Sequence, residues 1–463
     1  MKKYIDLIDQ TFEFPQEEFK VVDNELRFND VPLMDIIAEY GTPLKLTYLP
    51  KIGEKIEHVK TIFRNAIKKH KYEGTYTYCY CTKSSHFSFV LEEALKHDIH
   101  IETSSSFDIP IVKKLFQQGK ITKDTFVICN GFKRPLYKEY ITELLNDGFR
   151  NCIPILDNLN ELAHYEEYVQ DSYDVGIRIA ADEEPNFEFY TSRLGIRYHD
   201  VNTVYRAQIK PSTKARLKIL HFFINTGIRD TAYYWSELSR FIFKYCELKK
   251  ECPELDTIDI GGGFPIKTSL GFSFGYSYMV EQIIENIKWI CGKNNVPVPN
   301  IFTEFGSYTV GESGAILYSV IDQKLQNDKE LWYMIDGSFI THLPDAWGLN
   351  QKYILLPVNK WNNMYHKVNI GGLTCDSMDY YNSEAHTSEL FMPMDEQEDK
   401  KPLYIGFFHT GAYQESLGGY GGIQHCLIPA PKHVLVDKVN GKIKTTLFAK
   451  EQESESMLKT LGY

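Results

Sequence analysis

Apolar positions along this chain recur in two periods. The run Tyr78-Cys79-Tyr80-Cys81 alternates aromatic and small side chains like a half-buried strand, and Thr82-Lys83-Ser84-Ser85 follows where burial should end. Similar short runs lie at 44–48, 75–81, 99–102, 125–129, 151–155, 174–179, 219–223, 257–260 and 300–304, with segments of helical period such as 52–69 and 87–96 between them. Short apolar strands alternating with helices predict a parallel sheet, and about eight such units predict a closed (β/α)8 barrel of the TIM type. Many of these strands end in a polar residue followed by Gly, Ser or Asn, as loops built for chemistry at the C-terminal rim of a barrel require.

After residue 315 the helical period fades. Runs at 316–321, 331–336, 352–357, 433–437 and 443–448 are strands without full helices between them and predict a second, all-β domain. Near the N-terminus, 19–22 and 25–28 form a strand pair around Asp23-Asn24, and 32–40 is a short amphipathic helix ended by Gly41. The expected organisation is α/β plus all-β: N-terminal strands in 1–42, the barrel in 43–314, and a C-terminal β-domain in 315–463 completed by the N-terminal strands. The 395–401 run is expected as a charged surface loop and the 451–459 run as a solvated helix or tail.

Composition narrows the function classes. A chain of 463 residues with 43% hydrophobic and 24% charged content can bury more than one core, and 14% aromatic content suits strand packing and closed pockets. A net charge of -11 disfavours nucleic acid and anionic membranes and suits a cationic small molecule. With no membrane-length apolar run and no signal-peptide core after Met1-Lys2-Lys3-Tyr4, the expected location is the cytoplasm. Nine cysteines, an odd number, fit free thiols in a reducing compartment. Cys79 and Cys81 lack a second ligand pair at metal spacing, so no metal site is expected.

Five positions carry possible chemistry. Lys83 is either a strand-end surface charge or a desolvated amine able to condense with an aldehyde. Gly261-Gly262-Gly263, directly after a strand, makes either a tight turn or a phosphate cradle of backbone N–H groups. Glu304, also at a strand end, is either a solvated loop acid or the partner of a protonated ring nitrogen. Thr374-Cys375-Asp376-Ser377-Met378-Asp379 offers a thiol proton donor beside carboxylates that suit a cation. Tyr413, in Gly411-Ala412-Tyr413, is either a core tyrosine or a presented hydroxyl.

Taken together and in this order, these stretches resemble the pyridoxal-phosphate decarboxylases of the alanine-racemase fold type, which include ornithine, diaminopimelate and biosynthetic arginine decarboxylases. The likeness runs from about Tyr40 to Val436. It is strongest to the biosynthetic arginine decarboxylases in Asn130-Gly131-Phe132-Lys133, in Leu343-Pro344-Asp345-Ala346-Trp347, in Thr374-Cys375-Asp376-Ser377 and in Gly411-Ala412-Tyr413-Gln414-Glu415. The resemblance implies pyridoxal 5'-phosphate as cofactor, Lys83 as its Schiff-base lysine, and Gly261, Gly262, Gly263 and Tyr413 as phosphate ligands. It implies Glu304 as ring-nitrogen partner, Arg178 beside the cofactor, and Cys375 as the thiol that reprotonates the substrate carbon. Asp376, with Asp345 and Asp379, would hold the distal cation of a basic amino acid.

The reaction implied is arginine to agmatine, a step of polyamine synthesis, in a homodimer whose sites are shared across the interface. The alternatives are a diaminopimelate, ornithine or carboxynorspermidine-type decarboxylase, or a non-catalytic cofactor-binding regulator. The chain departs from the family at three points. The family's His-x-His-x-Gly-Ser appears as His221-Phe222-Phe223-Ile224-Asn225-Thr226, so Phe223 stands where a histidine stacks on the cofactor and Thr226 where the serine lies. Ser307 replaces an arginine, and the chain lacks the inserted helical domain of biosynthetic arginine decarboxylases.

Overall fold

Eight of the apolar runs close into a ring. In a computed structural model that describes residues 16–158, 160–181, 192–385, 388–395 and 401–463, they are β1 (Tyr76–Cys81), β2 (His100–Thr103), β3 (Val127–Cys129), β4 (Cys152–Leu156), β5 (Tyr173–Ala180), β6 (Ala215–Phe222), β7 (Thr257–Asp259) and β8 (Asn300–Phe305). Each pairs in parallel with the next, and β8 pairs with β1 to complete the barrel. Cys79, Ile128, Ile153, Ile155, Ile219 and Phe302, drawn from five of these strands, pack into one cluster. The outer helices show why their sequences fold as they do. The helix Tyr276–Lys293 buries Met279, Val280, Ile283, Ile284, Ile287, Ile290 and Cys291, the three-four spacing that presents one apolar face. The helix Ala232–Lys249 starts at Thr231, whose side chain accepts from the Tyr234 amide.

The chain divides into two compact units, residues 53–265 with 274–309, and residues 1–52 with 266–273 and 310–463. The first holds the barrel. The second is built on the 13-residue strand Gly314–Gln326, which pairs antiparallel with Glu330–Ile335 and Tyr404–Phe408.

One strand belongs elsewhere than its sequence suggests. Leu44–Tyr48 was expected to open the strand-helix alternation, yet it pairs antiparallel with Gly314–Gln326 and parallel with Lys432–Val439 in the β-unit. All five of its residues are buried, so an apolar strand of this kind fits either sheet equally well. The N-terminal strands Phe19–Val22 and Glu25–Phe28 pair in a small three-stranded sheet of their own, and Phe19 and Phe28 pack on Phe408. The helix Leu33–Tyr40 ends at Gly41, whose amide bonds Ile37 O at a φ of 72°. The C-terminal run forms the helix Ser454–Leu461. Of the expected charged loop, residues 396–400 lie outside the described residues. Among the described residues no helix is long and apolar enough to cross a membrane.

Candidate active site

The barrel strands deliver polar side chains to one rim. Strand register sets Arg178 beside His221, His221 beside Asp259, and Cys81 beside Glu102. Lys83 leaves β1 in a single 3-10 turn, Thr82–Ser84. That turn is bonded at every residue around it: Thr82 Oγ1 donates to Glu102 O at 3.1 Å, Ser84 Oγ to Cys81 O at 2.8 Å, and Tyr80 Oη to Ser85 O at 2.8 Å. The lysine is thereby aimed, not left to a mobile loop. Its Nζ lies 3.2 Å from Glu102 Oε2 and 3.8 Å from Cys81 Sγ, with the side chain 43% exposed. Neither a buried amine nor a free surface charge describes it; it is an accessible amine standing on a buried acid.

Three carboxylates, Glu102, Asp259 and Glu304, are buried together here. Asn130 Nδ2 bridges two of them, at 3.0 Å from Glu102 Oε1 and 2.7 Å from Glu304 Oε1. Glu304 Oε2 lies 3.1 Å from His221 Nε2. Burial acts against the Glu304 charge, but the field and hydrogen bond of His221, together with the Lys83 charge, outweigh it and take the carboxyl down to about 2. Burial and the neighbouring Glu304 charge push the Asp259 carboxyl well up. The pair therefore divides the work: Glu304 is the anion and Asp259 the acid. Glu304 is buried and is not a solvated loop acid. Burial likewise pushes the Cys81 thiol far up, which removes it as a nucleophile.

The glycine turn requires glycine at each step. Gly261 has a φ of 67° and Gly263 a φ of 102°, and a Cβ at Gly262 would stand 2.0 Å from Glu304 O. Gly261 is already engaged, its amide donating to Asp259 Oδ1 at 2.8 Å and its carbonyl accepting from Glu304 N at 2.8 Å. A second turn meets it, since a Cβ at Gly227 would stand 2.4 Å from Gly263 O. Phe223 is 38% exposed, and the Arg178 guanidinium lies 5.8 Å from its ring centre.

The remaining expected site residues lie in the β-unit. Cys375 is exposed, with its sulfur 3.6 Å from that of Cys426. All nine cysteines are unbridged. The three acids expected at the substrate cation differ sharply. Asp379 is buried and accepts from the Phe339 amide at 2.7 Å and from Thr374 N and Oγ1 at 3.1 and 2.6 Å. Asp345 is buried and accepts from Gln414 Nε2 at 2.8 Å, so the Leu-Pro-Asp-Ala-Trp and Gly-Ala-Tyr-Gln-Glu stretches are joined. Both acids hold their own loops in place. Asp376 is half-buried, takes the Met378 amide at 2.8 Å and faces His425 at 3.9 Å. Tyr413, half-buried, adopts a left-handed φ of 69°.

Glu102, Asn130, His221 and Asp259 were not singled out for roles by the sequence. The signal was present: each is a buried polar side chain at or next to the C-terminal end of a barrel strand, a position that needs a partner.

Residues 57–311, more than half of the chain, match the family described as pyridoxal-dependent decarboxylase, pyridoxal binding domain. The chain belongs to the pyridoxal-dependent decarboxylases. It is 23% identical to a biosynthetic arginine decarboxylase of Prochlorococcus marinus, covering 92% of this chain and 83% of the relative. It is 21% identical to arginine decarboxylase 2 of Arabidopsis thaliana, over 86% of this chain and 70% of that one. Among solved structures, the biosynthetic arginine decarboxylase of Campylobacter jejuni superposes with a TM-score of 0.82 at 18% identity, covering 97% and 89% of the two chains. A diaminopimelate decarboxylase from M. jannaschi superposes with a TM-score of 0.79 at 16% identity, over 96% and 97%. These neighbours share the fold of this chain.

The residues of this pyridoxal-dependent decarboxylase fit a phosphorylated pyridine aldehyde. The Gly262 and Gly263 amides donate to no group among the described residues, and the Thr226 hydroxyl is buried without a partner. Those are open donors around a turn that excludes side chains, as a phosphate needs. At the same rim an ionised carboxylate suits a pyridinium, and an accessible amine suits an aldehyde.

Proposed function

We propose that this chain is a decarboxylase of a basic amino acid, with arginine to agmatine as its preferred reaction. The observation that carries the reading is the concentration at one barrel rim of an accessible lysine amine, an anionic Glu304 and an open glycine cradle. Pyridoxal phosphate, when bound, supplies an aldehyde for amines and a protonated ring that withdraws electrons from the carbon losing carbon dioxide. Gly262, Gly263 and Thr226 would hold the phosphate; Tyr413 is the phosphate-binding hydroxyl that the family resemblance implies. Glu304 would keep the ring nitrogen protonated, and Arg178 would sit beside the cofactor. Phe223 would cover the ring face by packing alone, since a phenyl ring donates no hydrogen bond.

Lys83 would hold the cofactor's aldehyde, and Glu102, whose Oε2 lies 3.2 Å from Lys83 Nζ, would hold the amine's proton. Cys375 Sγ would return a proton to the substrate carbon, and Asp376 would bind the guanidinium end. By the family resemblance these last two would enter a neighbouring subunit's site, which supports a homodimer as the proposed working unit.

The test is carbon dioxide release from arginine, ornithine, lysine, diaminopimelate and carboxynorspermidine. Arginine is expected to be preferred, and preference for another member of the panel would reassign the substrate. Well-folded protein without a cofactor band near the visible edge, or with one that survives Lys83→Ala, overturns the enzymatic reading. Mixing Lys83→Ala with Cys375→Ala protein is expected to restore part of the activity; two dead variants that stay dead when mixed would place each site within one chain.

A further inference from the structure

Glu304 is held on both oxygens, by Asn130 on Oε1 at 2.7 Å and by His221 on Oε2 at 3.1 Å. A carboxylate bonded on one oxygen can still turn about its last torsion, whereas bonds on both fix its plane. His221 lies opposite Asp259 in the strand register, and one ligand atom each from His221, Asp259 and Glu304 fall within 4.8 Å of one another. Asp259 then closes a second link. Its Oδ1 takes the Gly261 amide, and the Gly261 carbonyl takes the Glu304 amide, both at 2.8 Å. The first glycine of the cradle is therefore tied at one end to the Asp259 carboxyl and at the other to the Glu304 backbone.

The Asp259 carboxyl also hydrogen-bonds the Glu304 carboxylate, while the buried His221 Nδ1 has no hydrogen-bond partner among the described residues. Burying such an atom unpaired is costly, and a fold built for stability alone would place apolar residues here. Charge supports the same reading. Three buried carboxylates would overload the rim, and the proton retained by Asp259 lets it sit beside Glu304 without repelling it.

We propose that His221 and Asp259 are positioning residues for Glu304: His221 sets the orientation of the carboxylate, and Asp259 locks that carboxylate to the glycine turn, fixing the distance between the ring-nitrogen contact and the phosphate cradle. The proposal rests on the cofactor reading above. It also assigns a duty to the first position of His221-Phe222-Phe223, where the third has lost its imidazole.

The experiment measures cofactor dissociation and the pH dependence of the bound cofactor's visible band in wild type, His221→Gln, His221→Phe, Asp259→Asn and Asp259→Ala, each checked for folding by far-UV circular dichroism. His221→Gln retains a donor and Asp259→Asn a neutral polar group, so both are expected to bind within about threefold of wild type. His221→Phe and Asp259→Ala are expected to weaken cofactor binding about tenfold or more, the cost of a lost hydrogen bond to a charged group. The band should be steady around neutral pH in wild type and should titrate there in His221→Phe. If His221→Phe does not fold, His221→Asn, too short to reach Oε2, takes its place. In the cofactor-free protein, the His221 Nε2 resonance should move on Glu304→Gln; an unmoved resonance overturns the His221 contact.

Wild-type affinity and a steady band in folded His221→Phe overturn the role of His221, and wild-type affinity in Asp259→Ala overturns that of Asp259. Wild type that binds no cofactor at all overturns the functional reading and this proposal with it, an outcome separate from parity between wild type and variants.

Discussion

The sulfur of Cys375 lies 3.6 Å from the sulfur of Cys426, and both side chains are open to solvent. A disulfide bond is about 2.05 Å long, so a movement of roughly 1.5 Å would join them. A small disulfide such as oxidised glutathione can close the pair by two exchanges. One thiolate displaces the first small thiol, the other displaces the second, and two small thiols leave for one bond formed. Oxidation is expected to abolish decarboxylation, and dithiothreitol to restore it. Cys426→Ser should keep its activity and resist the oxidant. Peptide mapping without reductant checks the bond; absence of a Cys375–Cys426 peptide after treatment would end the idea.

Asp376 and Asp379 are three residues apart yet should respond differently to substitution. Asp379 accepts three hydrogen bonds that organise the 372–379 loop. Asp379→Ala strands those donors and is expected to lower stability by on the order of 3 kcal/mol. Asp376→Asn removes an accessible charge, so KM for arginine should rise about tenfold with the melting temperature unchanged. Steady-state kinetics beside thermal melts separates the two; a normal KM in Asp376→Asn would release this residue from substrate binding.

Two glycines offer a matched contrast. A Cβ at Gly262 would stand 2.0 Å from the Glu304 carbonyl, and backbone there has no room to withdraw. Gly262→Ala is expected to lose cofactor retention and to melt earlier. A Cβ at Gly292, inside the helix Tyr276–Lys293, meets nothing within 4 Å. Gly292→Ala should be stabilising by ~0.5–1 kcal/mol, because alanine costs less backbone entropy in a helix. Differential scanning calorimetry with cofactor quantitation decides both.

How much of this was legible in the sequence depended on whether a residue's role shows in a pattern. The barrel strands were visible because alternation and short apolar runs are periodic, and Gly261 to Gly263 because three glycines after a strand have few other uses. Leu44–Tyr48 was misplaced because an all-buried strand carries no mark of which sheet it joins. Lys83 and Glu304 could be named through their strand ends and the family likeness. Asn130, His221 and Asp259 could not be given their duties, since these depend on which strands become neighbours in the ring. The same limit separated Asp376 from Asp345 and Asp379, three acids of like kind in sequence that differ only in their partners.

Two buried histidines, His342 and His433, add to the acid sensitivity of the β-unit, beside the buried His409, which burial also shifts down. Burial, with the nearby Lys45 charge, takes His433 down to about 3, and burial takes His342 down to about 4. His433 pairs through Nε2 with Thr47 Oγ1 at 2.8 Å, His342 through Nδ1 with Tyr318 Oη at 3.1 Å, and Lys45 is itself paired with Glu415 at 2.5 Å. Both folded-state values lie below the ordinary histidine value of about 6.5. The stability they confer is therefore complete above that value and is lost as pH falls from there toward 4 and then 3. Within that interval unfolding takes up one proton at each histidine, and each proton contributes about 1.4 kcal/mol per pH unit to the slope. His433→Leu should flatten the dependence of unfolding free energy on pH by one such proton between about pH 6 and 5. Urea unfolding at several pH values in that range, on wild type and variant, measures the difference; parallel slopes would mean that His433 is already protonated in the folded chain.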